Sequence, residues 1–370
     1  MKAALRGAAR LAVQATLGVT DLVEAVHARI ASVPGLPATR ERTLGITGLV
    51  YKSVRGVTRV VGSQLDGALN ALTPALEELN HAKRNAEHEV LLAVLNGVLG
   101  DHLADTGNPL AIPMSLRQQG VPVDPKLLPA APGSKGLLVL LHGLCMNDQQ
   151  WLRNGHNHGS MLAQQLGLTP VYLHYNTGLP IHQNGAQFAA LMAQVPPQRI
   201  VLLGHSMGGL VARSSLHQAQ GEPWTRQVTD LICLGSPHQG APMERAGHGI
   251  DRLLDAAPYA APFSRLGKLR SRGITSLRHG QILADDSPAP LPEHVRCFAL
   301  AGRLSGAVKA QLLGDGMVPV NSALARNRDP AKRLAFAEDR QVLIEGVGHL
   351  NLLSDERVAA QLLAWLKALA

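Results

Sequence analysis

Ile200-Val201-Leu202-Leu203-Gly204-His205-Ser206-Met207-Gly208-Gly209 is the stretch that decides the fold. Four apolar residues read as a buried strand, and Gly-x-Ser-x-Gly then opens onto the helix-compatible segment ending at Gln218. A serine at so tight a strand-to-helix turn takes a strained backbone. Side chains two residues to either side would collide, which calls for glycine at 204 and 208. The turn lifts the hydroxyl clear of the sheet and sets it at a helix N-terminus, where negative charge is favoured. Ser206 is therefore the candidate nucleophile.

Outward from this turn the chain alternates. Short apolar runs at 136–141, 171–174, 199–203, 228–234, 296–301 and 340–344 read as strands, and 160–166, 184–194, 208–218 and 354–369 read as helices between or after them. Strands alternating with helices predict the α/β class, a mostly parallel sheet with helices on both faces. The interval 238–295, with its prolines and basic residues, reads as a lid insertion over one edge of the sheet. Within it Ala256, Ala257, Tyr259, Ala261, Phe263 and Leu266 are expected to line an apolar channel or to form the insertion's own core.

A serine hydroxyl is a poor nucleophile until a base takes its proton. His349, in Glu345-Gly346-Val347-Gly348-His349, lies on a glycine-flanked loop directly after the last strand and is the candidate base. The chain holds 16 histidines, and the others read mostly as solvated surface groups. Asp315, between Gly314 and Gly316, is the candidate acid that orients the imidazole. Asp285 and Asp286 fall before the preceding strand, and Asp329 in a charged surface segment, so the order Ser206, Asp315, His349 is preferred. Leu138-Val139-Leu140-Leu141-His142-Gly143-Leu144 is a strand running into a tight turn. The main-chain N–H groups of Leu144 and Met207 are the candidate oxyanion donors.

Together the blocks at 138–144, 204–209, Gly235-Ser236-Pro237-His238-Gln239-Gly240, Asp315-Gly316-Met317-Val318-Pro319 and Gly348-His349 resemble the α/β-hydrolase family of the lipase and esterase kind. The Ser-Pro-His and Asp-Gly-Met-Val-Pro blocks resemble bacterial lipases and the hydrolase domain of glycosylphosphatidylinositol inositol-deacylases. The likeness runs from about residue 136 to 370. It implies the α/β-hydrolase fold, with Ser206 as nucleophile, Asp315 as orienting acid and His349 as base. The activity it implies is hydrolysis of carboxylic esters of acyl or lipid type through an acyl-enzyme. A thioesterase or acyltransferase using the same serine is the alternative within that chemistry, and a non-catalytic lipid-binding protein the alternative outside it.

Residues 1–112 read as a helical N-terminal region and 113–135, with five prolines, as an extended connector. Residues 1–60 carry nine bases against three acids, so most of the net charge of +8 sits there. That region is expected either to pack as a helical hairpin or to touch an anionic membrane surface. With aromatics at 3%, nucleic acid is not an expected partner. Arg6 and Arg10 break what would be a leader's apolar core, and the expected location is cytoplasmic. No cofactor is expected, and His156-Asn157-His158 reads as a loop rather than a metal pair. The three cysteines Cys145, Cys233 and Cys297 read as buried thiols.

Overall fold

Strand β5 (Ile200–His205) lies inside an eight-stranded sheet because every one of its side chains is buried. A computed structural model of the protein describes residues 86–128, 133–241, 271–285, 287, 289–305 and 314–367. The expectations for the chain before residue 86 and for the six channel residues between 256 and 266 lie outside the described residues. The chain divides into two compact units, Met1–Asn85 with Leu103–Ala111, and Ala86–His102 with Ile112–Ala370. In the first, the described residues make a turn in which Asn108 N–H donates to Leu103 O at 2.8 Å. The second holds the sheet.

The strands are β1 (Ser115–Gln118), β2 (Val121–Val123), β3 (Leu137–Leu141), β4 (Thr169–His174), β5, β6 (Val228–Leu234), β7 (Arg296–Arg303) and β8 (Gln341–Glu345). Their order across the sheet is β2-β1-β4-β3-β5-β6-β7-β8. From β4 to β8 all neighbours run parallel, and β1 joins β2 and β4 antiparallel. Two of these strands fall in the stretch expected to be an extended connector. Pro122 is tolerated because β2 is an edge strand, where one missing N–H breaks no ladder on its open side, and β1 itself contains no proline.

Alternate residues of the central strands face opposite ways, and both faces are covered. Leu137, Val139 and Leu141 of β3, with Ile200 and Leu202 of β5, belong to one apolar cluster. That cluster also takes Val94 and Val98 from α1 (Ala86–Asp105) and Phe188 and Met192 from α3 (Ile181–Met192). Leu210 and Val211 from α4 (Met207–Gln218) and Ile274 and Leu277 from α5 (Arg272–His279) complete it. Leu138, Leu140, Val201 and Leu203 belong to the other cluster, with Leu162 of α2 (His158–Leu166) and Val358, Leu362 and Trp365 of α6 (Glu356–Lys367). This is the doubly covered parallel sheet of the α/β-hydrolase fold. Among the described residues no helix is long and apolar enough to cross a membrane.

One buried charge cluster was not expected from the sequence. Arg117 of β1 stands 3.1 Å from Glu89 of α1 and 3.1 Å from Asp148, and His174 of β4 stands 3.1 Å from the same Asp148 carboxylate. Burial alone would raise the Asp148 pKa, but the His174 hydrogen bond and the Arg117 charge outweigh it and hold the carboxyl below its usual range. The cluster ties α1 and the edge of the sheet to the loop after β3. Replacing Arg117 with Met removes the cation that the buried Glu89 and Asp148 carboxylates share. We expect a loss of about 3–5 kcal/mol of stability, read as a lower urea midpoint; an unchanged midpoint would show that the arginine does not hold the cluster together.

Candidate active site

Ser206 follows the last residue of β5 and caps the N-terminus of α4 with φ 54° and ψ −121°. A positive φ at a non-glycine residue costs roughly 1–3 kcal/mol and persists only where the surroundings enforce it. Here the Ser206 N–H donates to Leu234 O of β6 at 2.8 Å, and Ser206 O accepts from Gly209 N–H at 3.2 Å. A Cβ on Gly204 would collide with the Gly209 main chain, and one on Gly208 with the Leu141 carbonyl. The two glycines allow β5, α4 and the end of β3 to approach this closely.

Asp315 and His349 are brought together. His349 Nδ1 lies 2.7 Å from Asp315 Oδ2, and both side chains are buried. The other Asp315 oxygen accepts the N–H groups of Met317 at 3.0 Å and Val318 at 2.8 Å. His349 N–H donates to Asp315 O at 3.0 Å. The acid and the imidazole are thus joined through both main chain and side chain. With Nδ1–H directed at the carboxylate, Nε2 of a neutral ring has its lone pair free to accept a proton.

Ser206 Oγ and His349 Nε2 are not hydrogen-bonded to each other in this structure; their neighbours set them at the same end of the sheet. The ring of His205, adjacent to Ser206, is 4.7 Å from the His349 ring, centroid to centroid. Gly235, after β6, packs against both Asp315 Oδ2 and His349 Cε1. All three candidate residues therefore sit beyond the carboxyl ends of parallel strands.

The loop after β3 passes beside the serine, since a Cβ on Gly143 would come within 3.1 Å of Ser206 Cβ. Leu144 is buried in this loop, and Met207 opens α4. Neither main-chain N–H has a hydrogen-bond partner among the described residues. Cys145 follows with φ 60°, its N–H bonded to Thr177 Oγ1 at 3.1 Å. Its sulfur rests on the α1 main chain at Gly97, where no Cβ would fit. His142 stacks on Tyr175, centroids 4.4 Å apart, and its Nδ1 lies 3.0 Å from Gly143 O. Burial pushes the His142 pKa down to about 3, so that nitrogen carries a proton on a neutral ring and donates to the carbonyl.

Histidine behaves differently from the surface role expected of it. His142, His158, His174, His205, His238 and His349 are all buried. His156 and His158 are bonded to each other, Nε2 to Nδ1 at 2.8 Å, and His158 Nε2 lies 2.9 Å from Leu352 O. His205 Nε2 lies 3.1 Å from His349 O. The sequence offered one signal for this, the histidine inside Gly-His-Ser, and none for the distant carbonyl that His158 reaches.

Two kinds of comparison find likenesses. The model of the PGAP1-like alpha/beta domain matches residues 157–286, about a third of the chain. The matched stretch contains Ser206 and Met207 and leaves out Leu144, Asp315 and His349. No curated protein matches the sequence. Among solved structures, the chain is similar to the mature Bacillus licheniformis lipase BlEst2, at 19% identity over 69% of this chain and 97% of that one, with a TM-score of 0.46. It is also similar to a thermophilic esterase from Thermogutta terrifontis, at 17% identity over 64% and 91% of the two chains, with a TM-score of 0.38. A third is YbtT, the type II thioesterase of the yersiniabactin pathway, at 18% identity over 65% and 95%, with a TM-score of 0.44.

Two measurements test the burial of these groups. Burial lowers His142 to about 3 and His158 to about 4, and sets His205 and His238 well below 6.5. Above pH 6.5 these rings are neutral whether the chain is folded or not. Below it the unfolded chain binds protons that the folded one refuses, so the stability held above that pH is lost on acidification. Each such ring contributes up to about 1.4 kcal/mol per pH unit, and the melting temperature should fall steadily between about pH 6.5 and 4.5; a flat profile would contradict neutral burial. For sulfur, burial pushes Cys145, Cys233 and Cys297 up to about 12. Iodoacetamide should leave all three unmodified in the native protein at neutral pH and alkylate them in denaturant; rapid native labelling would show an open thiol.

Proposed function

We propose that the protein is a serine hydrolase that cleaves carboxylic esters of acyl or lipid type through an acyl-enzyme. The observation that carries this reading is the buried 2.7 Å bond between His349 and Asp315, at the end of the sheet where Ser206 is held with φ 54°. A bystander serine would need neither the strained backbone nor an imidazole with its outer nitrogen left free.

The chemistry follows from the groups present. Ser206 Oγ attacks the acyl carbonyl as its proton passes to His349 Nε2. The imidazolium that forms is stabilised by the Asp315 carboxylate, itself held by two main-chain N–H donors. The Leu144 and Met207 N–H groups receive the negative charge of the tetrahedral intermediate, each such donor worth about 2.7–4 kcal/mol in comparable sites. His349 then gives its proton to the leaving alcohol. Water, deprotonated by the same nitrogen, releases the acid and restores the hydroxyl. A thiol leaving group or an alcohol acceptor would use the same acyl-enzyme.

The test is a panel of nitrophenyl esters and matching thioesters of rising chain length. Wild-type protein is expected to turn over at least one ester, and Ser206→Ala to lose about 10³-fold or more in kcat. Equal rates for the two proteins would remove Ser206 from the mechanism. A preference for thioesters would move the reading to a thioesterase.

A further inference from the structure

Two carbonyls of the turn that carries His349 are met by side chains from other elements. His349–Leu353 is a five-residue 3-10 turn, a form used in short pieces. Gly348 O receives the N–H groups of Asn351 at 2.9 Å and Leu352 at 3.2 Å. Asn351 O receives those of Ser354 at 3.0 Å and Asp355 at 2.9 Å. The two carbonyls are those of His349 and Leu352. Both are buried residues, and both carbonyls are met by imidazoles from elsewhere. His205 Nε2 reaches His349 O at 3.1 Å, and His158 Nε2 reaches Leu352 O at 2.9 Å.

These contacts fix the protons. A carbonyl only accepts, so Nε2 of each ring must carry hydrogen. Both rings are held neutral by burial, and a neutral ring with its proton on Nε2 has a bare Nδ1. At His158 that Nδ1 is the acceptor for His156 Nε2–H, 2.8 Å away. The pair therefore reads in one direction only, from His156 through His158 to the Leu352 carbonyl. At His205 the bare Nδ1 is buried and has no partner, which leaves Nε2 as the one bonded end of the ring. The two donors come from different elements. His205 ends β5 beside the nucleophile, and His158 opens α2.

We propose that His205 and His158 are positioning residues for the base: their Nε2–H groups hold two carbonyls of the His349 turn and so set the direction of His349 Nε2 relative to Ser206. The proposal rests on the reading of Ser206 as nucleophile. Asp315 fixes the His349 ring at Nδ1 and accepts the His349 N–H on its own carbonyl. The rest of the turn, towards Leu352, can still pivot unless its carbonyls are held as well. Bonds at residues 349 and 352 hold it near both ends. Apolar packing of Leu352 and Leu353 adds burial but no direction. His205 carries a further consequence, since one residue links the strand that presents the hydroxyl to the turn that presents the base. A displacement of either is felt by the other.

Glutamine and asparagine separate this role from general packing. A glutamine amide places a donor where imidazole Nε2 stands, whereas an asparagine amide reaches only the position of Nδ1. The readout is the second-order rate of inactivation by a fluorophosphonate, which reports the reactivity of Ser206 without the natural substrate. We expect H158N and H205N to react about 10- to 100-fold more slowly than wild type, and H158Q and H205Q to recover most of that rate. Melting temperatures are measured beside the rates. Wild-type labelling with equal rates in the asparagine variants would overturn the positioning role alone, as would glutamine variants no faster than asparagine ones. No labelling of the wild type at Ser206 would overturn the nucleophile reading and this inference with it. Should the asparagine variants fail to fold, long-range proton–nitrogen NMR of the wild-type histidines decides. Neutral Nε2–H tautomers for both rings between about pH 6 and 8 support the proposal, and an Nδ1–H tautomer or a cationic ring at either position removes it.

Discussion

The close approach of three chain segments around Ser206 is the constraint that the rest of the structure serves. The end of β3, the end of β5 and the start of α4 meet where Gly204 and Gly208 leave no room for a Cβ, and Ser206 takes a left-handed backbone between them. Such strain survives only inside a framework that cannot relax. That framework is a set of central strands buried on both faces, with α1, α3, α4 and α5 on one side and α2 and α6 on the other. The same burial that forces the turn also dries its surroundings. Nearby imidazoles and thiols are kept neutral, and an ionic hydrogen bond such as that between Asp315 and His349 is strengthened in such a medium.

Much of this was legible along the chain, for local reasons. The parallel strands read as apolar runs because a strand covered on both faces has no polar side to alternate. Ser206, Asp315 and His349 stood out because glycines lie beside each of them in a turn or loop that follows a strand. The β1–β2 hairpin was not legible. It is short and contains Pro122, and only its place at the sheet's edge makes that residue acceptable. Helix α1 ends at Asp105, inside the region read as helical.

What could not be read were partnerships set by distance. His158 bonds a carbonyl 194 residues away in the chain, and His205 one 144 residues away. Arg117 draws its two carboxylates from 28 and 31 residues to either side. Apart from His205, which sits inside Gly-His-Ser, none of these residues carries a local mark that separates it from a solvated histidine or arginine. Composition favours the surface for such side chains, and only the completed fold shows that each is buried against a group that satisfies it.

Helix α1 sets a limit on how this molecule can be divided. Its residues Ala86–His102 belong to the same compact unit as the sheet. Glu89 holds Arg117, the Gly97 main chain seats the Cys145 sulfur and accepts from Ser271 Oγ at 2.7 Å, and Gly100 O accepts from Asn176. A fragment started at β1 would lose Glu89 and the Gly97 main chain with the helix, and so uncover Arg117, Asp148 and the Cys145 thiol in the loop beside the serine at once. A piece that keeps these contacts includes Ala86–His102, which lies outside the stretch that resembles the lipases and esterases.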